Sequence, residues 1–226
     1  MRLVWLLMIV STATLAADRV KEVRERRTAD VKALVEKAGL TYPVDEVYLR
    51  AFKKEKQLEL WASKRGQPMT LVKRYDFCSA SGELGPKRRE GDLQVPEGLY
   101  EVPSFNPFSD YHLAMKVSYP NASDKVRSDA KRPGGLIYLH GDCVSIGCIA
   151  IEDQPIEEVY LIAFDARVRP IRFDIFPARL DDVTTVGQGE HVEFWRELTP
   201  AYTSFEKTKR PARFSVNPKT GAYSVK

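Results

Sequence analysis

The sequence predicts an α+β chain, mainly antiparallel β, with a helix ahead of the sheet region and a helix–hairpin extension behind it. Three observations carry that prediction. Short segments with period-two apolar alternation recur between turn-forming residues, the pattern of half-buried strands. Stretches near both ends place apolar residues every three or four positions, the pattern of amphipathic helices. The C-terminus returns to short alternating runs separated by Asn217-Pro218-Lys219-Thr220.

Residues 1–16 form a distinct leader. Met1-Arg2 gives a positive start, Leu3 to Val10 is wholly apolar, and Thr14-Leu15-Ala16 offers a small-x-small cleavage site. The apolar run is too short for a permanent bilayer anchor, so a cleaved signal peptide is expected. Left uncleaved, it would be the chain's one membrane attachment; in either case the rest leaves the cytoplasm. Residues 17–43 follow as a helical segment. Between Asp18 and Ala38, Val20, Val23, Val31, Leu34, Val35 and Ala38 fall on one face; Gly39 stops the helix and Pro43 blocks a restart.

Residues 44–177 carry the strand-like pattern. Glu46 to Phe52, Gln57 to Ala62 and Thr70 to Cys78 are the first three strands, with a charged turn over Lys53 to Lys56. Ser81 to Glu97 is rich in Gly and Pro and poor in apolar residues, a long loop suited to shaping a cleft. Leu99 to Val102 and His112 to Tyr119 resume as strands. Asn121 to Gly135 is a polar connection, and the apolar strand Leu136 to Leu139 delivers His140. A helix begins near Pro155, with Ile156, Val159, Tyr160 and Ala163 on one face, and Arg169 to Ile175 is the last strand. In the extension, residues 178–226, a helix over Gly189 to Lys207 carries the stripe Val192, Trp195, Leu198, Tyr202 and Phe205, and Pro200 is expected to split it in two. Ala212 to Val216 and Gly221 to Val225 form the closing hairpin. No internal repeat is visible.

The 226 residues, 43% hydrophobic, suffice for one good-sized domain. A net charge of +4 is dispersed among acidic neighbours, as in Lys21-Glu22-Val23-Arg24-Glu25, so no basic face for nucleic acid is predicted. Three cysteines, Cys78, Cys143 and Cys148, leave at least one thiol unpaired in a single exported chain. Cys78 is expected to be a buried thiol, with a Cys78–Cys143 bridge as the alternative.

The chemistry concentrates in Leu139-His140-Gly141-Asp142-Cys143-Val144-Ser145-Ile146-Gly147-Cys148-Ile149-Ala150. A sulfur nucleophile needs a base within reach and N–H donors for its tetrahedral intermediate. Glycine just before the nucleophile lets consecutive amides turn toward a substrate oxygen, and Gly147-Cys148 has that form. Of the three histidines, His112 opens a strand beside aromatic residues and His191 sits in a charged, solvated helix start, which leaves His140 as the base. From spacing alone, a strand-end histidine beside an inert core thiol fits as well. A zinc site from His140, Cys143 and Cys148 lacks both the usual paired ligand spacing and a fourth ligand. No cofactor or metal is expected.

His-Gly followed by Ser145-x-Gly147-Cys148 resembles the signature of the L,D-transpeptidase catalytic domain of the YkuD type. Gly85-Pro86-Lys87, Gly91-Asp92 and Val95-Pro96-Glu97-Gly98-Leu99-Tyr100 add to the likeness. Phe105-Asn106-Pro107, Tyr119-Pro120-Asn121 and the tail around Phe194-Trp195 are similar to its YafK-like branch. The resemblance covers about Val44 to Ile175. It implies a β-sandwich with the nucleophile in a cleft, a periplasmic location, and attack on the diaminopimelate–D-Ala bond of peptidoglycan stem peptides through a Cys148 thioester. In it His140 moves the proton, Ser145 orients the histidine or the substrate, and the Gly147 and Cys148 amides hold the oxyanion.

Gly141, Lys87, Arg88 and Tyr138 are the candidate substrate-binding residues, although a solvated loop fits Lys87 and Arg88 at least as well, and packing fits Tyr111 and Tyr138 better than substrate contact does. Two departures stand out: where most members carry a second histidine and a later polar residue, this chain has Ile146 and Ala150. They agree with the YafK-like branch and leave two alternatives open. One is hydrolysis with the same residues, including release of a wall-linked lipoprotein. The other is a wall-binding module with a decayed site, against which the intact His140, Ser145, Gly147 and Cys148 argue.

Overall fold

The computed structural model describes residues 5–181 and 189–226, with side chains from Arg19 onward. Helix α1 (Trp5–Lys37) runs unbroken for 33 residues, although the spacing starts it at Asp18. Leu, Met and Ala dominate the preceding stretch and are strong helix formers, so the backbone continues helical through most of the expected leader. The first four residues of that leader lie outside the described part. No helix among the described residues is long and apolar enough to cross a membrane.

The main sheet has five strands in the order β3-β2-β1-β10-β5. These are β1 (Glu46–Phe52), β2 (Gln57–Ser63), β3 (Thr70–Asp76), β5 (Gly98–Val102) and β10 (Ile171–Phe176). The second sheet, in the order β4-β9-β8-β7-β6, consists of β4 (Ser79–Ala80), β6 (Phe105–Asn106), β7 (Ala114–Lys116), β8 (Tyr138–His140) and β9 (Ile149–Ala150). Pairing is antiparallel except for β1 with β10 and β8 with β9. Both sheets feed one core: Leu49, Leu60, Tyr100, Met115, Leu139 and Ile149 belong to a single buried cluster. That is the α+β, mainly antiparallel class that the sequence predicts.

β1 and β2 depart from the half-solvated strands that period-two alternation suggests, because every residue after the first is buried. One face packs on the core with α1 and helix α3 (Asp153–Asp165); the other lies under helix α4 (Val192–Thr208). On the α4 side Arg50 and Glu59, 1% and 0% exposed, bond at 2.6 Å, and Arg50 also reaches Glu206 of α4 at 2.7 Å. Polar residues at alternate strand positions thus anchor a covering helix instead of meeting water.

Helix α4 is continuous through Pro200, contrary to the split expected there. Trp195, Leu198, Ala201, Tyr202 and Phe205 are all buried, and that burial outweighs the one hydrogen bond the proline removes. The polar connection after Tyr119 contains a short helix α2 (Ala122–Arg127), absent from the sequence reading. Its signal was legible as a capping box, Asn121 at the N-cap with Asp124 three residues on. The strand expected over His112 to Tyr119 shrinks to β7, while β11 (Phe214–Val216) and β12 (Tyr223–Val225) form the closing hairpin.

Candidate active site

β8 and β9 run parallel in the second sheet, Leu139 opposite Ile149 and His140 opposite Ala150. One step back, this register sets Cys148 opposite Tyr138, two positions from His140. Side chains alternate along paired strands. Leu139 and Ile149 face the core, so Cys148 and His140 share the opposite face, one diagonal step apart. Cys148 is the free cysteine, half-buried, in the wall of an open cleft of about 530 Å³. Lys87, Leu93, Lys131, Arg132, Leu136 and Ile146 also line that cleft.

The seven residues between His140 and Cys148 are pinned at several points. Asp142, at φ +57°, turns the chain sharply, and its N–H donates to Asp153 Oδ1 at 2.8 Å. Cys143 forms a disulfide with Cys78, Cα–Cα 5.4 Å, correcting the expectation that Cys78 is a buried thiol. The cause is the edge pairing of β4 with β9, where Cys78 N–H donates to Ala150 O at 2.9 Å and sets Cys78 beside the loop. With both sulfurs in one bond, the cluster of Cys78, Cys143 and Glu152 offers a metal no thiolate. Ser145 Oγ donates to Cys148 O at 2.7 Å and accepts from Gly147 N–H at 3.3 Å. Its described bonds therefore secure the nucleophile turn and do not reach the histidine. Gly147 has the unusual backbone foreseen for it, φ +119°, and its amide donates to Ser145 Oγ.

His140 is 2% exposed, and its Nδ1 lies 2.5 Å from the Gly141 carbonyl. A carbonyl can only accept, so Nδ1 carries the proton and Nε2 is left as the basic nitrogen. The Tyr111 ring packs on the imidazole with centroids 4.8 Å apart. Burial pushes the imidazole below its ordinary range, against the opposing pull of the Gly141 carbonyl and of Asp142. Burial likewise pushes the Cys148 thiol up, opposed by the Tyr138 backbone N–H and by the charge of Lys87. Both shifts favour the neutral thiol and the neutral imidazole at rest. The thiol's hydrogen bond in this structure goes to Leu136 O at 3.8 Å.

The candidate substrate contacts divide. Lys87 lines the cleft but is buried and committed to Asp92 at 2.5 Å and to Arg89 O at 2.9 Å. Arg88 is drawn away to Asp124 and the Phe194 ring, packing the extension against the sheets. The Gly141 carbonyl accepts from His140 Nδ1, and the Tyr138 backbone N–H opposes the rise of the Cys148 thiol. His191 is only half-buried, its side chain 31% exposed, with one side of its ring against Gly85, where a Cβ would lie 2.6 Å from it. Lys131 and Arg132 carry no site signal in the sequence, where Leu136 stands only as a strand start and Ile146 only as a departure from the family pattern. The aliphatic pair, 71% and 79% exposed at the cleft, left a signal in their position within the polar stretch and loop flanking the nucleophile's strand pair.

The YkuD family, the L,D-transpeptidase catalytic domain, matches residues 46–163. YafK of Escherichia coli K12, an inferred L,D-transpeptidase by its name, is 37% identical over 177 residues, covering 75% of this chain and 70% of its own. Among solved structures, two of the helical cell shape determining protein Pgp2 of Campylobacter jejuni align at TM-scores of 0.48 and 0.47, with 21% and 18% identity. The first alignment covers 71% of this chain and 55% of that one; the second covers 76% of each. Bd1075 of Bdellovibrio bacteriovorus aligns at 0.42 with 22% identity, covering 74% of this chain and 59% of its own.

Proposed function

The chain belongs to the L,D-transpeptidase catalytic-domain family and is an L,D-transpeptidase-type enzyme, and from that premise we propose that it is a periplasmic cysteine enzyme acting at the diaminopimelate–D-Ala bond of peptidoglycan stems. The observation that carries the reading is the pair itself: a free, cleft-lining thiol on the same sheet face as a histidine whose Nδ1 is held by a backbone carbonyl. His140 Nε2 takes the thiol proton as Cys148 Sγ attacks the scissile carbonyl. The resulting imidazolium returns that proton to the departing D-Ala amine, and a thioester remains. An acceptor amine, or water, then attacks the thioester while His140 removes its proton, and the thiol is released with its proton restored. The Cys148 amide is the oxyanion donor, and the fixed Gly141 carbonyl stabilises the imidazolium that forms midway. Lys131 and Arg132 supply cations at the cleft for the carboxylates of the stem peptide.

Transfer and hydrolysis share the acylation step and differ only in what resolves the thioester, so the acceptor decides between them. The residues 1–16 leader supports export, and a wall-linked lipoprotein is a candidate donor for hydrolytic release. Incubation with tetrapeptide-bearing muropeptides, read by mass spectrometry, tests the whole reading. Loss of D-Ala with formation of dimers indicates transfer, and loss with tripeptide alone indicates hydrolysis. Absence of any turnover refutes the enzyme reading, and turnover that persists in Cys148→Ala refutes the nucleophile.

A further inference from the structure

Resting on the assignment of His140 as base, we propose that helix α1 is a positioning element of the active site: it grips the 107–112 loop from two sides and so holds Tyr111 over the imidazole. The grip is direct at Arg19, whose Nη1 lies 3.1, 2.8 and 2.7 Å from the carbonyls of Pro107, Ser109 and His112. Three carbonyl oxygens aimed at one point repel one another unless a cation sits there, so the loop's curvature depends on that guanidinium. The grip is indirect at the far end of the loop. His112, at the left-handed φ of +66°, places its Nε2 2.8 Å from Glu157 Oε1, and Arg26 and Arg27 of α1 reach the same carboxylate at 2.5 and 3.4 Å.

Tyr111 lies between these two holds. Its ring covers the imidazole and is itself 43% exposed, whereas His140 is 2% exposed. The tyrosine is thus the lid that separates the base from solvent, and it sits on a short loop with no strand partner of its own. Contact with that ring restrains the imidazole, whose Nδ1 bonds the Gly141 carbonyl. Release of the loop leaves the residues of the chemistry intact and loosens only the base. Arg19 and Tyr111 therefore act through His140 and not on the substrate.

The test is a double-mutant cycle on the full chain with the muropeptide assay. Arg19→Ala and Tyr111→Ala are each expected to lower kcat about tenfold with KM changed by less than twofold, and the double variant is expected to be no worse than either single one. Arg19→Lys, which keeps a three-donor cation, is expected to recover most of kcat, an outcome that loss of helix packing would not give. Full kcat in Arg19→Ala, or losses that multiply in the double variant, would overturn the proposal. His140→Asn run in parallel separates the two levels: turnover that survives it removes the parent assignment, whereas its silence together with a normal Arg19→Ala removes only the role of α1.

Discussion

Gly141→Ala is the sharpest test of what the turn after the base contributes. The φ of Gly141 lies outside the left-handed region, so alanine meets no backbone penalty and the cost comes from space alone. A Cβ there would stand 2.6 Å from Asp153 Oδ1, 3.0 Å from Ile156 Cγ2 and 3.1 Å from His112 Cβ. The first of these atoms accepts the Asp142 N–H, and the second belongs to a fully buried side chain. Overpacking of this kind costs about 1–3 kcal/mol, and loss of the Asp142–Asp153 hydrogen bond adds about 1 kcal/mol. Unfolding in urea should therefore show a loss of about 2–4 kcal/mol. The same displacement moves the carbonyl that holds His140 Nδ1. A shift near 1 Å at a reacting group costs on the order of 100-fold, so kcat should fall by about that factor while KM stays within a few-fold. A substrate-binding role for Gly141 predicts the reverse, a raised KM with kcat preserved. A variant with native stability and native kcat would refute the geometric reasoning altogether.

Ser145→Ala removes the bonds to Cys148 O and Gly147 N; about 1–2 kcal/mol of positioning is at stake, and steady-state kinetics should show kcat reduced about tenfold with little change in KM. Joint replacement of Cys78 and Cys143 by serine opens a covalent loop of sequence separation 65; chain entropy puts the loss of stability at about 4 kcal/mol, and a denaturant midpoint equal to that of the oxidised protein would count against it. The pH profile of Cys148 alkylation should keep rising through and above the ordinary thiol range, since burial raises the thiol; a plateau already reached near neutrality would indicate a preformed thiolate instead. Burial lowers the folded-state pKa of His140 below its unfolded value of about 6.5. Its stabilising contribution is thus complete above that value and is lost as pH falls through the window beneath it, and His140→Asn should flatten this part of the stability–pH curve. Lys131→Glu should raise KM for carboxylate-bearing stems severalfold without moving the thermal midpoint.

The sequence by itself determined whatever depends on local order along the chain. Period-two runs located β1, β2 and β5 closely, the 3.6-residue stripes located α3 and α4, and the nine residues from His140 to Cys148 placed histidine, glycine turn and cysteine within one strand–loop–strand unit. Local order also fixed the unusual backbone of Gly147, because only glycine meets that angle cheaply.

The tertiary structure decided everything that depends on contact between distant segments. Whether Arg50 and Glu59 face water or a covering helix is set by α4, about 150 residues away. The partner of Cys143 is set by an edge pairing 65 residues back, and the fates of Lys87 and Arg88, adjacent in sequence, diverge because one finds Asp92 and the other Asp124. Tyr111 over His140 is the same case: a tyrosine in a short polar loop carries no periodic signal, and its contact with a histidine 29 positions later exists only in the fold. Periodicity records which face of an element is apolar. Which partner lies against that face is fixed by packing, where side chains remote in sequence compete for the same few ångströms.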